Sequence, residues 1–295
     1  MSSIIERLSG NVPAAGTHQA ADRSIGKILL DAGKLKPGDA ERALRLSKDK
    51  GIRFGEACTQ LKLVEQSDID SALSDQFDYP YLRPGDANLS AELVAAYQPF
   101  SEQVEALRAL RTQLLLRWFS TERKALAIVS PSQGDGRSYL AANLAIVFSQ
   151  LGEKTLLIDA DMRDARQHEL FKLPNQYGLS ALLSRRINGA AIERVGHFAN
   201  LSVLPAGAIP PNPLELVSRP EFAELMARES AGYDVVLIDT PAADASADAQ
   251  AIAARARGAL VVAREGRSRL ESLSRLGIAI QSTQAEVVGC VLNRI

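Results

Sequence analysis

An apolar, strand-prone run, Leu126 to Val129, enters a loop that carries Gly134 and Gly136. A basic residue and a hydroxyl follow, Arg137 and Ser138, and then an amphipathic helical pattern. A nucleoside-triphosphate loop needs this order. Glycines let backbone N–H groups converge on phosphate oxygens, and the following helix turns its positive end toward the anion. Ser138 is placed to ligate Mg2+. A second apolar strand ends in Asp159-Ala160-Asp161, and a third, VVLIDTP, ends in Asp239. A phosphate loop beside strand-end carboxylates handles a nucleotide and its metal. The loop departs from the usual [AG]xxxxGK[ST]: it reads PSQGDGRS, with Pro131 for the first small residue and Arg137 for the lysine. Arginine keeps the charge but is planar and bulkier than an ammonium. A glycine turn opening an ordinary α/β helix is the plain alternative, and the two carboxylate strands weigh against it.

These residues need a sheet to hold them. Strands are predicted near 125–130, 154–159, 201–204, 233–239, 258–264 and 286–292, with helical patterns between them. Such alternation predicts an α/β fold, a mostly parallel sheet covered by helices on both faces, of the P-loop NTPase type. A small all-α domain precedes it. The predicted organisation is a disordered stretch over 1–20, a helical tandem-repeat domain over 22–80, a linker over 81–100 with a short helix near 90–97, and the nucleotide domain over 101–295.

The repeat is internal to the helical domain. SIGKILLDAGKLKPGDAERALRLS begins at Ser24, and RFGEACTQLKLVEQSDIDSALSDQ begins at Arg53, twenty-nine residues later. Gly26 aligns with Gly55, Leu35 with Val64 and Leu44 with Leu73. Each copy reads as a short helix, a turn and a longer helix, and neither copy buries its apolar face alone. Residues 101 to 119 form another helix, with Glu105, Arg108 and Arg111 on one broad face and Leu107, Leu110, Leu114 and Trp118 on another.

Composition narrows the partners. The formal net charge of −1 over 295 residues gives no electrostatic case for nucleic acid or anionic lipid. No apolar run reaches the roughly 18 residues needed to cross a bilayer, and no secretory signal is read, so the expected location is cytoplasmic without direct membrane insertion. Cys58 and Cys290 read as buried, reduced thiols. His18, His168 and His197 have no ligand spacing.

Several motifs in one order resemble a known family. The phosphate loop, LLIDADMR at 156–163, LPAGAIPPNPLEL at 204–216, VVLIDTP at 235–241 and VVGCVLNRI at the end resemble the bacterial tyrosine kinases (BY-kinases) of exopolysaccharide export, within an EpsG-like chain-length-determinant subgroup. The resemblance implies an ATP-dependent protein tyrosine kinase, with ATP and Mg2+ as cofactors and Asn293 reading the adenine. It implies that Glu105, Arg108 and Arg111 meet a neighbouring subunit in a homo-oligomer; a solvated charged face is the alternative. It also implies an inner-membrane chain-length-determinant partner, a polysaccharide co-polymerase, through which the chain is recruited to the membrane. The helical repeats resemble the N-terminal domain of MshE-type and type II secretion ATPases. That likeness implies cyclic di-GMP as a ligand of Arg23 and Arg53, against the alternative of a docking module for a protein. Copy two departs from that family at Lys62, where a glycine is usual.

Charge placement then assigns roles. The backbone N–H groups of Gly134, Asp135, Gly136, Arg137, Ser138 and Tyr139 would cradle the α- and β-phosphates, and Arg137 would neutralise β- and γ-oxygens. Ser138 and Asp239 would hold Mg2+, and Asp161 would help position the metal. Asp159 would accept a proton from the tyrosine hydroxyl or hold the metal that polarises it. Strand-end carboxylates that cap the next helix are the alternative for Asp159 and Asp161. Asp244 and Asp248 read as helix caps, and Arg163 keeps an open role. Family members carry acceptor tyrosines in a C-terminal tail; here the tyrosines expected to be reachable are Tyr79, Tyr81 and Tyr97. Two other readings share the fold. One is a MinD/ParA-like ATPase switch, disfavoured by the absence of a lysine in residues 130–133. The other is an assembly protein that senses cyclic di-GMP or a partner through a weakly active nucleotide fold.

Overall fold

The computed structural model describes residues 24–77, 80–82, 89–187 and 191–294. The stretch 1–20, Arg23 and Tyr79 lie outside them. Two compact units divide after residue 78.

The first unit holds four helices, α1 (Ile25–Asp31), α2 (Pro37–Lys50), α3 (Phe54–Gln60) and α4 (Gln66–Phe77). Short and long helices alternate twice. Repeat-equivalent positions do equivalent work: Leu29 and Cys58, and Ala43 and Ala72, are all buried in the unit's core. The turns match as well. Gly33 has φ 68° and Lys62, at the same place in copy two, has φ 54°. Each sits after a chain reversal closed by Lys34 N–H to Leu29 O and by Leu63 N–H to Cys58 O. Copy two thus keeps the left-handed backbone without the glycine that makes it easy.

The second unit opens with α5 (Val94–Tyr97), α6 (Glu102–Arg117), β1 (Ala125–Val129), α7 (Arg137–Gln150) and β2 (Thr155–Asp159). It continues through α8 (Gln167–Phe171), α9 (Leu179–Leu183), β3 (Glu193–Arg194), β4 (Leu201–Leu204), α10 (Pro213–Ser218) and α11 (Pro220–Gly232). It ends with β5 (Val235–Asp239), α12 (Asp248–Ala256), β6 (Gly258–Arg264), α13 (Leu270–Gln281) and β7 (Glu286–Asn293). The seven strands run in the order β3-β4-β2-β5-β1-β6-β7. All neighbours are parallel except β3, whose two residues pair antiparallel to β4 and give no periodic signal in the sequence. Every residue of β1, β2 and β5 is buried, because alternate side chains enter two cores. Leu126, Ile128, Leu157 and Leu237 pack with α7 on one face. Ala127, Val129, Leu156, Ile158, Val236 and Ile238 pack with Phe222, Ile252 and Ile280 on the other.

Helix α7 is not amphipathic. Its residues from Leu140 to Ser149 are all buried, because α5 and α6 cover the side that faces away from the sheet. The segment expected to be a linker, 81–100, belongs to this unit. Leu82, Leu93, Ala95 and Ala96 are buried in the same core as α7. Asn143 of α7, itself fully buried, accepts from Ala95 N–H at 2.9 Å and donates to Glu92 O at 3.0 Å. Gln150 donates to Pro80 O and Ala95 O. The segment's proline, glycine and polar residues resemble linker composition, while Leu82, Leu93, Ala95 and Ala96 are core.

Trp118 ends α6 and donates its indole N–H to Ala125 O at 2.9 Å. Its ring lies against Gly258, where an added Cβ would stand 2.2 Å from Cζ2, and the Arg123 guanidinium sits 5.0 Å from the ring centroid. Cys58 is buried, whereas Cys290 is exposed, because β7 is the edge strand. Among the described residues no helix is long and apolar enough to cross a membrane.

Two substitutions test this account. Asn143→Ala strands the buried Ala95 N–H and is expected to cost about 1–3 kcal/mol, read as a lower urea midpoint by circular dichroism. Lys62→Gly relieves a left-handed backbone and is expected to stabilise the helical unit by roughly 1 kcal/mol, read as slower hydrogen exchange of its amides.

Candidate functional site

The site forms where β1, β2 and β5 end, near the place where chain order reverses across the sheet, the usual ligand position in such folds. The loop from Ser130 to Ser138 is tied by its own side chains. Asp135 is fully buried. It accepts from Ser132 N–H at 2.9 Å and from the Ser268 hydroxyl at 3.0 Å, and its backbone carbonyl accepts from Asn293 Nδ2 at 3.0 Å. Arg264 donates to Gly134 O at 2.9 Å. Gly134 and Gly136 have φ 80° and 98°. A Cβ on Gly136 would stand 2.1 Å from Asn293 Nδ2, so close approach as well as conformation requires glycine there. Gly136 then caps α7 without a side-chain bond, which leaves the first N–H groups of α7 for an anion.

Arg137 differs from the expectation that it faces the phosphates. It is 6% exposed. Its Nε donates to Thr240 O at 2.8 Å, and Nη1 donates to the Ser130 hydroxyl and to Ser132 O. Only Nη2 remains, 3.9 Å from Asp161 Oδ2. Three of the five N–H donors of the fork are therefore committed to the loop and to the end of β5. A guanidinium reaches at once a carbonyl of the loop, Ser132 O, and one just past β5, Thr240 O, which a lysine ammonium as a point charge would not do in the same fixed fork.

Asp159 and Asp239 are partners in the β2–β5 register and both are fully buried. Asp159 accepts from Arg166 N–H and Gln167 N–H through Oδ2, at 3.0 and 2.9 Å, and from Asp161 N–H through Oδ1. Burial first, then the charge of Asp239, push its carboxyl well above the ordinary carboxylate range, while the Gln167 and Arg166 N–H groups pull it back. Asp239 is pushed up to about 6, chiefly by burial, against the opposing pull of Arg137, Gln167 and Ser138. Asp161 closes a turn by accepting from Arg163 and Asp164 N–H. Asp159 and Asp161 thus do support the following chain, as the capping alternative held, while standing at the site.

Gln167 is the residue that sequence reasoning missed. It is fully buried and donates from Nε2 to Asp239 Oδ2 at 2.8 Å and to Ser138 O at 3.1 Å. An amide eight residues after Asp159 has no motif to announce it. Gln167 Oε1 and Asp239 Oδ1 are buried without a hydrogen-bond partner. An orphaned carboxylate oxygen beside a serine hydroxyl fits Mg2+, which takes few protein ligands and completes its shell with water and phosphate. Among the described residues no group of three or more His, Cys, Asp or Glu is placed to hold a metal by itself.

Other residues singled out in the sequence take different places. Arg163 pairs with Asp248 at 3.0 Å, so Asp248 is a buried ion-pair partner as well as the first residue of α12. Tyr139 lies in the first turn of α7; burial and then Glu92 push its hydroxyl up to about 12. Glu105 and Arg108 bond to each other, and Arg111 donates to Val147 O at 2.7 Å, which ties α6 to α7. Arg53 is exposed at the start of α3. Tyr97 is half-buried and donates to Leu89 O, whereas Tyr177, not expected to be reachable, is 55% exposed.

Known proteins resemble this chain in sequence and in fold. The chain is 34% identical over 207 residues to tyrosine-protein kinase YwqD of Bacillus subtilis, across 70% of this chain and 87% of that protein. It is 36% identical over 205 residues to tyrosine-protein kinase wzc of Salmonella typhimurium, and the match spans 28% of that longer protein and 70% of this chain. The kinase domain of Escherichia coli tyrosine kinase ETK superposes with TM-score 0.66 at 32% identity, over 69% of this chain and 80% of that one. The cell division ATPase MinD of Pyrococcus furiosus superposes with TM-score 0.52 at 27% identity, over 58% of this chain and 72% of that one. No protein-family model matches the chain.

The Asp239 carboxyl gives a test with a defined sign. Its value rises from an ordinary 3.8 to about 6 on folding, so between those values the folded protein holds a proton that the unfolded chain has released. Stability from this group is full below about pH 4 and is lost as pH rises through 6. Without metal or nucleotide, Asp239→Asn is expected to exceed the wild type by on the order of 2 kcal/mol at pH 7.5 and by little near pH 4, measured by urea denaturation at both.

Proposed function

Because this chain belongs to the family of bacterial tyrosine-protein kinases, we propose that it transfers the γ-phosphate of Mg–ATP to a tyrosine hydroxyl, in the control of exopolysaccharide synthesis and chain length. The observation that carries this reading is the buried carboxylate pair, Asp159 and Asp239, in register beside the glycine loop. Mg2+, when bound, would supply positive charge against the negative charge that develops on the transferring phosphoryl group. Ser138 and Asp239 would hold it, with Gln167 releasing Asp239 Oδ2 or staying as its donor. Asp161 would help position the metal, and the N–H groups of residues 134–139 would position the phosphates. Asp159 would accept the tyrosine proton, and the burial that raises its carboxyl above the ordinary range strengthens it as a base. Arg137 braces the loop and offers Nη2 to the site.

The acceptor would be a tyrosine on a second protein or a second copy, and among the described residues Tyr177 is the exposed tyrosine. Glu105, Arg108 and Arg111 would meet a neighbouring copy. A membrane-embedded chain-length determinant would recruit the protein to the cytoplasmic face of the membrane. The helical unit we read as a module for cyclic di-GMP or for a protein partner. A second reading, a nucleotide-driven assembly switch, is favoured by the likeness to MinD.

The two separate in one experiment. Incubation with Mg2+ and γ-labelled ATP is expected to label tyrosine. Asp159→Asn is expected to lower labelling at least about 100-fold while ATP affinity moves less than about threefold. Free phosphate without labelled protein, with the membrane partner present, would select the switch.

A further inference from the structure

The triphosphate needs a cation that Arg137 does not freely offer. Its Nε and Nη1 are held by Thr240 O, Ser130 and Ser132 O inside the fold. Another set of guanidinium groups stands over the outer side of the loop. The turn between β6 and α13 carries Arg264, Arg267 and Arg269. Arg264 holds Gly134 O. Arg267 crosses the face of Gly134 so closely that a Cβ there would stand 2.8 Å from Nη1, 3.2 Å from Cζ and 3.3 Å from Nη2. Among the described residues the side chains of Arg267 and Arg269 make no hydrogen bond or ion pair. Both line a cleft of about 390 Å3 with Ser132, Gln133, Asp244 and Ser272. Asp244 is its only acid, so the lining keeps a net positive charge.

The cleft lies at the right end of the loop. Ser132 and Gln133 form the half that leaves β1, while the free N–H groups of α7 and the side chain of Asn293 stand at the other half. With its inner phosphates on the N–H groups of α7 and its base on the Asn293 side, a nucleotide would extend its terminal phosphate toward Ser132 and the cleft. We propose that Arg267 and Arg269 pair with the terminal phosphate of the bound nucleotide, supplying from the β6–α13 turn the charge that Arg137 keeps inside the loop. Two unpaired guanidinium forks suit phosphate oxygens better than a point charge does. The inference rests on the nucleotide reading of the same site.

The test compares Mg–ATP with Mg–ADP, which lacks the terminal phosphate. Calorimetric titration of the full chain gives both affinities for the wild type, Arg267→Ala, Arg269→Ala, the double variant and Arg267→Lys, with thermal melts to confirm an intact fold. ATP affinity is expected to fall on the order of tenfold in each single alanine variant and further in the double variant. ADP affinity should change less than about threefold, and Arg267→Lys should restore part of the loss. Double-variant binding of ATP within about twofold of wild type overturns the proposal and leaves the nucleotide reading standing. Equal loss of ATP and ADP also overturns it, because the arginines would then only shape the loop. A wild type that binds neither nucleotide removes both.

Discussion

Two carboxylates forced to the same level of adjacent strands set the terms for this site. The β2–β5 register puts Asp159 opposite Asp239, at the spacing of neighbouring parallel strands, roughly 5 Å. Both are sealed from water, and like charges so placed resist ionisation together. Much of the surrounding detail answers that strain. Three backbone N–H groups converge on Asp159, and the Gln167 amide and the Arg137 charge act on Asp239. The fold tolerates this arrangement because the parallel sheet allows no shift of register: one residue of slip would turn every core side chain of β5 to the opposite face.

The loop shows how a departure from the common pattern is absorbed. Asp135 ties the first half of the loop to the turn after β6 and accepts from Asn293 at the end of β7. Arg137 ties the second half to the end of β5. The loop is therefore braced from within, by buried charge-assisted bonds, before any ligand arrives. Such a loop has little rearrangement left to make, and the cost of ordering it falls on folding rather than on binding.

The strands were legible because a short, continuous apolar run that ends in Asp suits a buried strand better than any helix, and six of the seven lie where the pattern places them. Loop, hydroxyl and strand-end carboxylates were legible as residue types at fixed offsets. The repeat was legible too, down to a left-handed turn that Lys62 preserves without glycine. What stayed hidden depends on distant contacts. Gln167 matters because its amide reaches a carboxylate on another strand. The segment 81–100 looked like a linker because its breakers are local signals, whereas the burial of Leu93, Ala95 and Ala96 goes with bonds to Asn143 and Gln150 far along the chain. Arg137 shows its charge and its planar fork in the sequence, but the direction of the fork follows from carbonyls of the loop and of Thr240 after β5.

The place of Trp118 has an optical consequence. It is the single tryptophan of the chain, 3% exposed, clamped by its indole bond to Ala125 and pressed on Gly258. The helical repeats carry none, so their unfolding is dark to this chromophore. Indole emission therefore reports loss of the sheet alone, while ellipticity sums the helices of both units. Recorded together during one denaturant titration, the two signals resolve whether the units melt as one cooperative body or as two, with no label added to the chain.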